Sequence, residues 1–124
     1  QTGTDVLNAN RQVMEELEKI CPDATDSFPD DFTSETQIQY TEEENKAQDV
    51  SGNKVITSYV RYRIDIWNQK STSDLACAVD EKMNGVLGLM RIGCSDNNEP
   101  GRKHKIMRYE GVITEKDKKV FAAK

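Results

Sequence analysis

The chain has 124 residues, a length that suits one domain around a single core. Its 17 basic and 22 acidic side chains leave a net charge of −5, short of the basic balance of a nucleic-acid module. No apolar run approaches the length of a membrane-crossing helix, and no charged start followed by an apolar block marks a signal peptide.

Residues 5–20 carry Val6, Val13, Leu17 and Ile20, with Met14 beside them, at helical spacing. This predicts a first helix capped by Thr4 or Asp5. Cys21-Pro22 ends it, because the residue before a proline is driven out of helical geometry. Residues 22–35 read as an acidic, turn-rich loop pinned by Phe28 and Phe32. Its aspartates lack the spacing and the central glycine of a calcium loop. Thr36 to Thr41 is a short strand with Ile38 and Tyr40 on one parity. Glu42 to Asn53 reads as a polar connection that holds the acidic triplet Glu42, Glu43 and Glu44 and a Ser51-Gly52-Asn53 turn.

Val55 to Trp67 alternates strictly. Ile56, Val60, Tyr62, Ile64 and Ile66 fall on one face, and Arg61, Arg63, Asp65 and Trp67 fall on the other. This long strand pairs most simply antiparallel with the first. Ser71 or Ser73 then caps a second helix, with Asp74 in its first turn and a stripe of Leu75, Ala76, Val79, Met83, Val86 and Leu87. Gly88 stands where a C-terminal glycine belongs. Leu89 to Cys94 is a third strand, Ser95 to Gly101 a turn, and His104 to Thr114 a fourth strand. Met107, Tyr109 and Ile113 share one of its faces, and Arg108 and Glu110 lie on the other. The tail, 115–124, is expected to add an edge strand or to be disordered, and residues 1–4 to be a ragged end.

The order α-β-β-α-β-β over residues 1–124 implies a two-layer α+β domain. Its sheet is mainly antiparallel and four-stranded, with both helices on one face. The other face then carries Arg61, Arg63, Arg91 and Arg108, and is either wet or meets a partner.

Catalytic settings do not emerge. His104 is the only histidine, no nucleophile elbow surrounds a serine, and no phosphate loop or dinucleotide fingerprint is present. The reading is of a protein that is not an enzyme and takes no cofactor. Cys21, Cys77 and Cys94 lack paired spacing and read as reduced thiols. A zinc set of Cys77, Cys94 and His104 falls short of four ligands. The run Arg102, Lys103, His104 and Lys105, with Arg108, leaves three readings open: a soluble hairpin, a protein contact, or a grip on phosphates. The charge is also split. Residues 1–50 hold thirteen acids and three bases, and residues 51–124 hold fourteen bases and nine acids. Either the halves interleave as an ordinary surface, or they form unlike flanks that pair head to tail between copies.

Five segments together carry a resemblance: RQVMEELEKICP at 11–22, FPDDF at 28–32, IQYTEEEN at 38–45, YRIDIWNQKST at 62–72 and HKIMRYEGVI at 104–113. With these the chain resembles the small tail-completion, or head–tail joining, proteins of long-tailed bacteriophages and prophages of Gram-positive hosts. The resemblance implies an α+β domain related to siphophage tail terminators. Such proteins are virion structural proteins without cofactor, made in the bacterial cytoplasm. They ring the head-proximal end of the tail, usually with six-fold symmetry, and join the tail tube to the head connector or stopper, with DNA passing through the ring. Two departures stand out. Ser34-Glu35-Thr36 replaces a usual proline before the first strand, and Asp96-Asn97-Asn98 replaces an aromatic in the hairpin turn. The interface expected on physical grounds combines Arg61, Arg63 and Arg91 on the polar sheet face and Trp67 at the strand end. Arg102, Lys103, His104, Lys105 and Arg108 form a basic arm, and Glu42, Glu43 and Glu44 an acidic counterpart. The alternative is a monomeric intracellular binding module, an adaptor for protein or nucleic acid.

Overall fold

The computed structural model describes residues 10–22, 24–26, 36–52, 54–114 and 120–122. The expected cap at Thr4 or Asp5, Val6, the loop anchors Phe28 and Phe32, and the segments 1–4 and 115–119 lie outside the described residues.

Helix α1 (Asn10–Glu18) buries Val13 and Leu17 completely, while Met14 at the edge of the stripe is 37% exposed. The Leu17 carbonyl closes the helix by accepting from the N–H groups of Ile20 and Cys21 at 3.0 and 2.9 Å. Pro22 has no N–H to continue the ladder.

Strands β1 (Thr36–Ser51) and β2 (Lys54–Asn68) form one long antiparallel hairpin, in register from Thr36↔Asn68 to Ser51↔Lys54. Gly52 opens the two-residue turn at φ +63, a left-handed conformation that glycine adopts without strain. Residues 42–51 are therefore strand, and the polar connection expected there is overturned. Glu, Asn, Lys and Asp are weak strand formers. Three irregularities, at Glu42/Glu44, Ala47/Asp49 and Asp49/Val50, also break the parity that sequence periodicity relies on.

Helix α2 (Ser73–Asp80) widens into a π-helical stretch over Glu81–Val86, where the Leu87 N–H reaches back five residues to the Lys82 carbonyl at 3.0 Å. Val79 and Met83 are fully buried as the stripe requires. Val86 is 55% exposed, because the wider turn carries it off the apolar face. Gly88 ends the helix at φ +80, as expected.

Strands β3 (Met90–Asp96), β4 (Lys103–Thr114) and β5 (Val120–Ala122) complete an antiparallel sheet in the order β1-β2-β4-β3. β2 flanks β4 from Lys103 to Thr114 on one side, so β3 and β5 share the other. β3 pairs residues from Lys105 to Glu110 of β4, and β5 pairs Gly111 to Ile113. The tail thus supplies an edge strand.

Both helices pack on one face of the sheet, giving the expected two-layer α+β arrangement. Val60, Tyr62, Ile64 and Ile66 of β2 meet Ile38 and Tyr40 of β1 and Met107, Tyr109 and Ile113 of β4, under Val13, Leu17, Val79 and Met83. Each such side chain contributes roughly 1.5–3 kcal/mol by leaving water. The two most deeply buried tyrosines keep their hydroxyls paired at the rim. Tyr62 donates to Asn10 Oδ1 at 2.8 Å, and Tyr109 donates to Asp80 Oδ1 at 2.9 Å. Burial, aided by the Asp80 carboxylate, pushes the Tyr109 phenol well above its ordinary range.

Candidate functional site

The outer face of the sheet, away from the helices, gathers several residues singled out from the sequence. β2 presents Arg61, Arg63, Asp65 and Trp67 there, and β4 sets Arg108 opposite Arg63 and His104 opposite Trp67. At the Trp67 end the face is closed rather than open. Asp65 is 4% exposed, Trp67 3% and His104 7%. The Asp65 carboxylate accepts from Arg63 Nε at 2.8 Å and Nη2 at 2.9 Å, and lies 2.7 Å from His104 Nε2. Trp67 stacks on the His104 ring with centroids 4.5 Å apart and planes at 17°. Asn98 Oδ1 accepts the His104 backbone N–H at 3.0 Å, tying the β3–β4 turn to the same cluster. A buried carboxylate is tolerated because its partners replace the lost water. Arg63, Trp67 and His104 are brought together as a latch, and Trp67 and His104 offer a partner almost no surface.

The other end of this face joins the acidic triplet to the arginines. The bulge at Glu43 lets two successive carboxylates reach the outer side. Arg61 lies 3.4 Å from Glu43 and 3.5 Å from Glu44, and Arg108 holds Glu43 at 3.0 and 3.3 Å. Glu42 stays with the inner rim, accepting from Tyr62 at 3.3 Å and Asn45 at 3.1 Å. Arg63 and Arg108 are opposite one another, yet each turns to its own carboxylate, Asp65 or Glu43. The acidic and basic halves therefore meet within one molecule along β1 and β2. The half-exposed pairs to Glu43 and Glu44 are worth about 0–1 kcal/mol each.

The basic arm divides by strand parity. His104 and Arg108 face outward, while Lys103 and Lys105 lie on the helix side, where Lys105 holds Asp96 at 2.8 Å. Asp96 raises the affinity of the Lys105 amine for its proton. Arg102 closes a Pro100-Gly101 turn by donating its N–H to the Glu99 carbonyl at 3.0 Å, with Gly101 at φ +78 as a type II turn requires. Arg91 does not join the outer face: its guanidinium lies 3.5 Å from Asp80 on the helix side. The structure adds residues that sequence periodicity missed. Asp65 centres the latch, and Met90 and Ile92 of β3 are 40% and 43% exposed. Ile92 lies at the irregularity between Arg91 and Gly93, so an apolar residue that reads as core stands on the edge.

Cys77 and Cys94 are exposed and line a groove of about 340 Å³ between α2 and β3, whereas Cys21 is buried and His104 lies on the outer face. Cys77, Cys94 and His104 do not converge, and no group of three or more metal-ligating side chains forms among the described residues. Nor is any helix among the described residues long and apolar enough to cross a membrane. No protein-family model matches this chain, and no curated protein matches it.

Proposed function

We propose that the chain is a virion structural protein of a long-tailed phage or prophage. It forms a ring at the head-proximal end of the tail and joins the tail tube to the head connector or stopper, with DNA passing through the ring. The observation that carries this reading is that, among the described residues, β1 and β3 are the lateral strands of the sheet and differ in chemistry. Thr25 bridges to Gln39 and Cys21 Sγ reaches the Thr36 carbonyl at 3.7 Å, both at the start of β1, and the strand continues through Glu42, Glu43 and Glu44. β3 is exposed at every residue except the half-buried Gly93, and it carries Met90 and Ile92. A closed ring needs one surface of each subunit to meet a different surface of the next. Edge-to-edge strand pairing supplies such a joint through main-chain hydrogen bonds. The five sequence segments that resemble tail-completion proteins support the same role.

The test is assembly. Alone, the protein is expected to self-associate weakly by sedimentation. With tail tubes it should cap their ends as rings in electron micrographs. A Met90→Glu, Ile92→Glu double variant should keep its fold by circular dichroism and fail to join tails to heads. Normal joining by that variant, or a particle reconstruction showing a lone monomer, would favour the binding-module alternative. Charge reversal at Arg61, Arg63 and Arg108 is a poorer probe, because it also strips Glu43, Glu44 and Asp65 of their partners within the chain.

A further inference from the structure

On the helix side, the chain leaves β2 around a basin of about 200 Å³. Asn68 shapes it: its Oδ1 accepts from the N–H groups of Lys70 at 2.8 Å and Ser71 at 3.1 Å, and its amide donates to Thr36 Oγ1 at 2.9 Å. The turn so fixed lines the basin with Lys70, Ser71, Thr72 and Ser73, and β4 adds Lys103 and Lys105. Asp96 is the one carboxylate among the lining residues, and Lys105 already holds it. Lys70 and Lys103 have no carboxylate partner among the described residues. Three lysines against one aspartate leave a surplus of two positive charges.

The start of α2 lies on the wall of this basin and adds to its field. First-turn N–H groups carry partial positive charge and lack partners inside the helix. Ser71 Oγ accepts from Ser73 at 3.2 Å, but the cap residue Thr72 makes no side-chain capping bond. Thr72 lines the basin, and its hydroxyl makes no hydrogen bond within the described residues and stays open to solvent. On the wall of a polar basin with a charge surplus, this hydroxyl is a donor available to a ligand.

We propose that this basin binds a phosphate dianion, either free or as the terminal group of a small phosphomonoester. Lys70 and Lys103 supply the charge, the Thr72 hydroxyl donates to one oxygen, and the first turn of α2 faces another. A dianion matches the surplus of two charges. A phosphodiester carries a single charge and matches the surplus of two less well. The inference is independent of the ring reading.

The experiment titrates the full chain with inorganic phosphate at constant ionic strength and follows backbone amides by NMR. Saturable shifts centred on residues 70–75 and 103–105 are expected, with none from equal chloride. Lys70→Gln with Lys103→Gln should weaken binding at least tenfold, and Lys46→Gln, a lysine outside the basin, should not. Thr72→Val should weaken it severalfold, and Thr72→Ser should restore it, which separates the hydroxyl from a packing effect. A small phosphomonoester arm that saturates the same amides more tightly would assign the terminal group as the ligand; equal affinity would assign free phosphate. Shifts that never saturate, equal loss in Lys46→Gln, or tighter binding of duplex DNA than of either phosphate through these same residues would overturn the proposal.

Discussion

Trp67 and His104 on one face of β2 and β4, and Asn68, Lys103 and Lys105 on the other, are neighbours in sequence and opposites in chemistry. On the outer face, Asp65 draws Arg63 and His104 into a buried cluster under a stacked tryptophan. On the helix side, Lys70 and Lys103 keep their charge for solvent or for a ligand. The difference teaches that a basic run is not one feature. Strand alternation deals its members to two faces: His104 is drawn into the outer cluster, Lys105 pairs with Asp96 on the helix side, and Lys103 beside it holds no carboxylate among the described residues. A site list drawn from the run as a whole mixes the two.

The sharpest way to break the comparison is Asp65→Ala. It leaves the buried His104 without its carboxylate and the one-third-exposed Arg63 without its partner, and should cost about 1–3 kcal/mol in urea unfolding. A loss near 0.5 kcal/mol, the level of an ordinary surface change, would show that the outer cluster is no latch. Tyr109→Phe comes next. It removes the bond to Asp80, and should cost about 1 kcal/mol at neutral pH. Its larger signature is alkaline. The folded phenol is held protonated above its unfolded value of about 10, so its contribution is complete below that pH and is lost as pH rises beyond it. Stability curves of the parent should therefore fall more steeply above about pH 10 than those of Tyr109→Phe.

Smaller still is Glu43→Gln, which weakens the half-exposed pairs to Arg61 and Arg108. A loss under about 1 kcal/mol is expected, shrinking as salt is added. The smallest effect belongs to the helix-side basin. Lys70→Gln with Lys103→Gln should leave stability within about 0.5 kcal/mol of the parent, because those charges hold nothing in the fold. A loss of several kcal/mol there would erase the distinction between the two faces.

The sequence was legible where pattern and packing agree. The alternation of 55–67 placed β2, and its even residues from Val60 to Ile66 are all fully buried. Val13, Leu17, Val79 and Met83 were read as core from helical spacing, and Gly88 as a helix end from its residue type. Legibility failed where neighbours in space override local preference. Residues 42–51 became strand because β2 offers a full ladder, and Glu43 and Glu44 point to one side because of a bulge that periodicity does not encode. Asp65 was visible as an acid among arginines, yet its partner His104 comes from another strand. Thr72 gave no signal at all, since an unpaired hydroxyl is a fact of three-dimensional surroundings.

The two-residue turn at Gly52 also bears on how the chain reaches this state. Each rung of the β1–β2 hairpin closes only a little more chain than the rung before it, so pairing spreads outward from the turn at low entropic cost. The rungs between β2 and β4 are of another kind, because all of α2 and β3 lies between Trp67 and His104. Folding should therefore have a quick half and a slow half, with docking of β4 as the step that sets the rate. In kinetic terms, mutations along β1 should mainly alter unfolding if the hairpin zips after that step, and folding if it zips before. The local closure at Gly52 selects the second outcome, which φ-values at Ile38 and Ile113 would resolve.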